Sequence, residues 1–390
     1  MRHSFLSCAL AVAFAVGVAG TAEAGRAIIV HDFQGGADGA HPFGGMVQDA
    51  SGDFYGTTGA GGGGPCGGGC GTLFKIGRHG SHTVVYDFTG GADGYAPDAD
   101  LVGDANGNIY GTTAQGNSGD GSIFLQPPKG PLQVLHSFAS GEGSPSGRLW
   151  VAANGDIYGT TISGGAATDG TIFKLSAGTL STLYTFRGEE DGRWPHGVVM
   201  DGGGTLFGAT QNGADPSCNC GAVFALSPDG AFSVLHTFLG RKDGGQPVGG
   251  LTLTAAGIVG TAYYGGDRQG SGVIFRIAAD GSFSVLHTFT RRSDGAHPAA
   301  VLTADSSGDL YGTAQMGGGC RALDLGCGTA FRLAADGTFT VLHKFEDGSD
   351  GRSPTAPLIL SGASVYGTAA WGGTACTNGC GVVFRIANNN

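Results

Sequence analysis

A five-residue phrase, Val-Leu-His-x-Phe in its fullest form, returns seven times along the chain, ending at Phe33, Phe88, Phe138, Phe186, Phe238, Phe289 and Phe345. The steps between copies are 55, 50, 48, 52, 51 and 56 residues. A period near 50 confines the chain to repeat architectures, in which each copy buries its apolar face against its neighbours. It also overrides the expectation that 390 residues divide into two or three domains.

Each copy carries the same parts in the same order. A Gly- and Asp-rich loop follows the phrase and closes in a proline, at Pro42, Pro97, Pro145, Pro195, Pro247, Pro298 and Pro354. A short apolar run comes next, then a Tyr-Gly-Thr-Thr-like segment centred on Tyr55, Tyr110, Tyr158, Phe207, Val259, Tyr311 and Tyr366. A Gly-Thr-Val-Phe-Lys-like segment closes the unit at Phe74, Phe124, Phe173, Phe224, Phe275, Phe331 and Phe384. Four short runs rich in β-branched and aromatic residues, separated by Gly, Asn and Asp clusters, read as four strands. No stretch after the N-terminal segment has a helical period long enough to compete. Four strands per unit at this spacing predict an all-β fold, a seven-bladed β-propeller. A stacked solenoid is the competing reading, but its repeats usually run shorter or contain helices.

Strand order sharpens the expectation. With the run after the proline innermost and the Val-Leu-His-x-Phe phrase outermost, the repeats open on a lone outer strand, Ala27 to Phe33. They end on a third strand, Gly381 to Ile386, that lacks an outer partner. The ring is therefore expected to close by the N-terminal strand pairing with the last blade, which removes two open edges. Short turns such as Asn106-Gly107 and Asp280-Gly281 fall on one face. The long proline-closed loops and the loops after Tyr-Gly-Thr-Thr fall on the other, where a site is expected. Glycine, 79 of 390 residues, stands at about a fifth against a usual share near 7%, and supplies these turns.

Before the first repeat, Arg2 and His3 precede an apolar run from Phe5 to Val18, and Ala22-Glu23-Ala24 gives a small-x-small cleavage pattern. Residues 1–24 read as a secretory signal and 25–390 as one propeller domain, secreted or periplasmic. The run is too short for a membrane span, and none follows. A net charge of −11 argues against nucleic acid and anionic membrane as partners. A glycan or protein ligand remains open, with the chain expected as a monomer.

The Tyr-Gly-Thr-Thr segments (Tyr110 to Thr113, Tyr158 to Thr161) and the Gly-Thr-Ile/Leu-Phe-Lys segments (Gly71 to Lys75, Gly170 to Lys174) resemble the GloVer-type tandem-repeat proteins, a bacterial family of exported chains. The resemblance covers essentially the whole chain after the signal. It implies export and a propeller-like fold, and it carries no active site that transfers.

The repeats themselves assign most chemistry-bearing residues to structure. Eight cysteines form four close pairs, Cys66/Cys70, Cys218/Cys220, Cys320/Cys327 and Cys376/Cys380, each just before a third strand. In an exported chain these read as loop-pinning disulfides, and no histidine sits beside them to complete a zinc site. His31, His136, His236, His287 and His343 share one register position with Tyr86 and Tyr184. That interchange points to a structural hydrogen bond. The loop residues Asp38, Asp93, Asp191, Asp243, Asp294 and Asp350 read as turn caps, with calcium the one weak cofactor alternative. Only departures from the repeat remain as candidate binding residues: Asp98 and Asp100, Trp194 and His196, Tyr263 and Tyr264, and Trp371. Aromatics beside carboxylates suit sugar stacking. Two acids on one loop are more often solvated than catalytic. No catalytic constellation stands out, so a non-catalytic binding or scaffold module is expected. The alternative is a propeller lyase or glycoside hydrolase, which convergence of Asp98, His196 and His297 at the axial mouth would favour.

Overall fold

Each Tyr-Gly-Thr-Thr segment pairs antiparallel with the following Gly-Thr-Val-Phe segment so that its glycine stands opposite the phenylalanine, as in Gly56↔Phe74, Gly111↔Phe124 and Gly159↔Phe173. The ring lies over that glycine. A Cβ placed there would sit 2.5 Å from the Phe74 ring at Gly56 and 2.7 Å from the Phe275 ring at Gly260. The repeated glycine is thus a packing requirement, since real atoms do not approach so closely.

The structure, a computed structural model, describes residues 25–116, 119–320, 326–377 and 379–388. The expected signal at 1–24 lies outside the described residues. Seven four-stranded antiparallel sheets form the blades, six of them consecutive in the chain. The seventh takes Ile359–Ser361, Ser364–Ala369 and Val382–Ala387 from the C-terminal end and Ile28–Asp32 from the N-terminal end. Ring closure by the N-terminal strand is what the strand order demanded. Ile28 pairs with Arg385 and Asp32 with Val382.

Phenylalanines from two different phrases glue the blades. The outer-strand Phe of one blade meets the third-strand Phe of the next at all seven seams: Phe33–Phe74, Phe88–Phe124, Phe138–Phe173, Phe186–Phe224, Phe238–Phe275, Phe289–Phe331 and Phe345–Phe384. Centroids lie 5.0 Å apart at the tightest seam and 5.5 Å at the widest, with the rings steeply inclined. Such edge-to-face pairs contribute about 0.5–1.5 kcal/mol beyond burial. Inner strands are as short as Val47–Gln48 in blade 1, but run Pro145–Val151 in blade 3 and Arg193–Met200 in blade 4. These two inner strands touch each other directly. Gly147 has no room for a Cβ against the backbone of His196 and Gly197.

The four cysteine pairs are bridged as expected. The carbonyl of the second cysteine in each pair accepts a hydrogen bond from the next blade, from the N–H of the residue just before the loop proline. The bonds are Ala96 to Cys70 (3.0 Å), Gln246 to Cys220 (2.7 Å), Ser353 to Cys327 (2.9 Å) and His41 to Cys380 (2.8 Å). Each disulfide therefore anchors a seam as well as a loop tip. Asp169 and Ser271 offer the same carbonyl to Trp194 and His297 without a disulfide.

Candidate functional site

The outer belt commits most of the repeated chemistry-bearing residues to structure. The histidine or tyrosine of each outer strand reaches the loop carboxylate that follows it. His31 donates to Asp38, His287 to Asp294 and His343 to Asp350, each at 3.0 Å, and Tyr86 donates to Asp93 at 3.1 Å. Tyr184 bonds Asp191 at 2.8 Å, and on the outer strand of blade 2 His136 finds Glu142. The same carboxylates cap backbone N–H groups, for example those of Gln34, Thr89 and Thr290. Two motifs separate in the sequence are one device, a ring-to-carboxylate clasp that fixes the long loop. Burial pushes the Asp294 carboxyl up, but hydrogen bonds from His287 and Thr290 outweigh it and hold it below its usual range.

Blade 1 varies the device. His82 stands where blades 4, 5 and 6 carry Phe232, Phe283 and Phe339. It stacks on His31 at 4.0 Å and 5° and shares the Asp38 carboxylate with it at 3.1 Å. His31, Asp38 and His82 are the one described trio whose donor atoms gather closely enough to suggest a metal. Parallel ring planes have no common point, so no ion lies in the plane of both imidazoles as good ligation requires.

The axial mouth is built from one register position. The residue after each loop proline faces the central opening, and all seven line one cavity of about 570 Å³: Phe43, Asp98, Ser146, His196, Val248, Ala299 and Thr355. Three consecutive blades contribute the polar Asp98, Ser146 and His196, and the next two contribute Val248 and Ala299. Gln115, Arg148 and Gln315 add polar groups, and Gly249, Gly250, Ala300 and Val301 extend the apolar wall. The mouth is thus two-faced although the scaffold is nearly seven-fold. It lies at the long-loop end of the axis.

Asp98 touches the water of this funnel while protein closes round it on the other sides, and burial pushes its carboxyl up to about 6. Asp100, two residues on, turns into the seam with blade 1 and accepts the Gly45 N–H at 2.7 Å. Burial raises its carboxyl as well, with the Arg148 charge and the Gly45 bond acting against that rise. The expectation of two solvated acids is corrected for one of them: Asp100 braces a seam, whereas Asp98 is exposed to solvent at the funnel wall. His196 is clamped at both nitrogens, Nε2 to Gln211 Oε1 at 3.0 Å and Nδ1 to Ser146 Oγ at 3.1 Å. Burial lowers its basicity, so the ring stays neutral and Nδ1 accepts the serine proton.

The remaining candidates lie outside the funnel. Trp194 is 42% exposed beside Arg193, and Tyr264 is 45% exposed against Tyr263 and His297. Trp371 packs on His41 at 4.0 Å under Arg352. His297 turns away from the axis, its Nδ1 bonded to the Tyr263 carbonyl, so it does not converge with Asp98 and His196. Tyr263 reaches the funnel indirectly by donating to Gln315 Oε1 at 2.7 Å. Ser146, Arg148, Gln115 and Gln315 escaped the reading of the sequence. Aligning the seven post-proline positions would have found Ser146.

The sequence profile of the Gloeobacter/Verrucomicrobia repeat matches residues 17–188 and 117–323. No curated protein matches. Among solved structures, the extracellular domain of a protein described as a one-component system from B. thetaiotaomicron is similar over 94% of this chain and 42% of that one. Its identity is 12% and its TM-score 0.58. The extracellular domain of a hybrid two-component system from the same organism gives 11% identity, 90% and 39% coverage and a TM-score of 0.56. This chain thus spans about two fifths of each. A gluconolactonase from Xanthomonas campestris is 14% identical over 96% of this chain and 93% of that one, at a TM-score of 0.45. These likenesses concern the fold alone. With the profile covering most of its length, the chain belongs to the Gloeobacter/Verrucomicrobia repeat family.

Proposed function

We propose that this protein is an exported, monomeric binding module that receives a saccharide in its axial mouth. The observation that carries the reading is the two-faced ring of post-proline residues: Asp98, Ser146 and His196 on one arc, Val248 and Ala299 on the other. A sugar ring offers hydroxyl edges and an apolar face of C–H groups, which match these arcs. A cavity of about 570 Å³ falls within the usual size of small-ligand sites. The disulfides and the signal-like N-terminus support export. The reading calls for no cofactor, because the loop carboxylates that calcium would need already accept hydrogen bonds from the clasp rings and from backbone N–H groups. A glycan array probed with the purified protein tests it. Binding that is lost in Asp98→Asn supports the mouth as the site, and a blank array contradicts sugar recognition.

A second reading, hydrolysis or lysis of the same saccharide, draws on the Asp98 carboxyl near 6, where a general acid or base is effective at neutral pH. Reducing-end release from the array-positive glycan would show turnover. Retention of binding with loss of turnover in Asp98→Asn would select this reading.

A further inference from the structure

Net charge conceals a local reversal. In the loop between each outer strand and the next proline, blades 1 and 2 begin with Gly35-Gly36 and Gly90-Gly91, and the loop entering blade 4 carries Glu189-Glu190. The loop entering blade 5 instead carries Arg241-Lys242, and the loop entering blade 6 carries Arg291-Arg292. Arg268 lies between them on the blade 5 loop that follows the second strand.

These five cations form one surface. The Arg241 carbonyl accepts the Gly266 N–H at 2.6 Å, which ties the first pair to the loop holding Arg268. Gln269, next to Arg268, shares a surface hollow with Arg291 and Arg292. Arg241, Lys242, Arg268 and Arg292 are exposed and Arg291 is half-buried. Among the described residues, the ion pairs made by Lys or Arg involve Lys75, Lys174, Arg187, Arg332 and Arg352, and none of these five. The neighbouring acids face inward. Asp243 caps Leu239, Asp267 holds Gln269 and Ser271, and Asp294 holds His287 and Thr290. Carboxylates committed to their own loops leave the arginines and the lysine as the outward charge.

The exposed aromatic ring of the same sector adjoins them. Tyr264 packs edge-on against His297 and Tyr263, and the Arg291 charge is close enough to His297 to lower its basicity further after burial has done so. We propose that the long-loop surface of blades 5 and 6 docks an acidic polysaccharide, its carboxylates on Arg241, Lys242, Arg268, Arg291 and Arg292 and one sugar face on Tyr264. Charge complementarity selects a polyanion, and the aromatic platform selects one with an apolar ring face. The chain as a whole, at −11, repels a ligand of the charge density of nucleic acid, about one charge per 1.7 Å for a duplex. A glycan with one charge per sugar meets less of that repulsion. The disulfides also place the chain where extracellular glycans are met. This surface stands apart from the axial mouth and does not depend on it.

Calorimetry with hexagalacturonate, its fully methyl-esterified form and a single-stranded DNA 12-mer tests the proposal. Hexagalacturonate is expected to bind and to weaken with added salt, while the uncharged ester binds at least about tenfold more weakly. The double reversal Arg291→Glu/Arg292→Glu, and separately Arg268→Glu at its exposed position, should each lower affinity about tenfold or more, and Tyr264→Ala about fivefold. Asp98→Asn should leave this binding unchanged, so that failure here and failure at the mouth are told apart. Equal binding of acid and ester, binding indifferent to both charge reversals, or DNA binding tighter than the hexasaccharide and indifferent to Tyr264→Ala would overturn the proposal.

Discussion

The outer belt and the axial mouth are cut from the same repeat, yet they behave oppositely. In the belt, six blades repeat the hydrogen-bonded clasp between an outer-strand ring and a loop acid, whether the ring is His287 or Tyr184, and in the seventh His236 faces Asp243 at 3.4 Å. At the mouth, the seven equivalent post-proline residues are all different: Phe43, Asp98, Ser146, His196, Val248, Ala299 and Thr355. A position that holds seams together must satisfy the same partner seven times, so it repeats. A position facing an opening has no such partner and is free to be shaped by a ligand. Variation inside a regular frame therefore points to function more reliably than regularity does.

The largest test of the frame is closure. Deleting residues 25–33 removes the strand Ile28–Asp32 and Phe33, whose ring is fully sheltered at the seam with Phe74. The truncated protein should lose cooperative thermal unfolding, or melt well over 10 °C lower, since a 1 kcal/mol loss alone moves the midpoint by roughly 2–4 °C in larger domains. A truncation that melts like the full chain would break the closed-ring account. Next in size is Phe238→Ala at the blade 4–5 seam, expected to lower stability by about 3–5 kcal/mol in denaturant titration. The equivalent loss at Phe289→Ala would sharpen the view that the seams are alike.

A smaller effect comes from the belt's own exception. Burial, and then the His31 charge, lower the His82 imidazole to about 4, with Asp38 opposing them. A base whose folded value lies below its unfolded one stabilises fully above the unfolded value near 6.5 and loses that contribution as pH falls toward 4. Its Nε2 is buried without a partner. His82→Phe, the residue found in blades 4 to 6, should raise the melting temperature and flatten its decline between pH 6.5 and 4. An unchanged decline would place acid sensitivity elsewhere.

The smallest effect is on stability at the mouth. The Asp98 carboxyl, raised to about 6, favours the protonated folded state. Its charge therefore weakens folding as pH rises from about 4 through 6. Asp98→Asn should melt slightly higher than the parent at pH 8 and equal to it at pH 4. A lower melting temperature at pH 8 would make Asp98 a structural residue and end its separation from the belt.

Much of this frame was legible beforehand. The period gave seven blades, and the unpartnered first and last strands gave the closure, because both follow from counting strands. The reading of His31 and its counterparts as structural was right in kind, but their partners sit six or seven residues away in loops that were read separately. The site was only half legible. Asp98 and His196 stood out as exceptions, yet Trp194, Tyr263, Tyr264 and Trp371 stood out equally and lie on the rim. Which loop residue points at the axis depends on the backbone after the proline. The residue before it, such as Trp194 at φ 58° or His297 at φ 57°, takes a left-handed conformation and leaves the axis to its neighbour. That conformation is unusual before proline and is not written in any one repeat. The charge reversal of blades 5 and 6 was legible too, but a net charge averages it away.

The most direct test sets the two regions against each other with one ligand. Affinity for the array-positive saccharide should fall about tenfold or more in Asp98→Asn, as expected when a hydrogen bond to a charged group is lost. It should stay within about twofold in Tyr184→Phe, which removes only the belt bond to Asp191. Equal loss in both, or loss only in Tyr184→Phe, would contradict the account that function resides in the varied mouth and structure in the repeated belt.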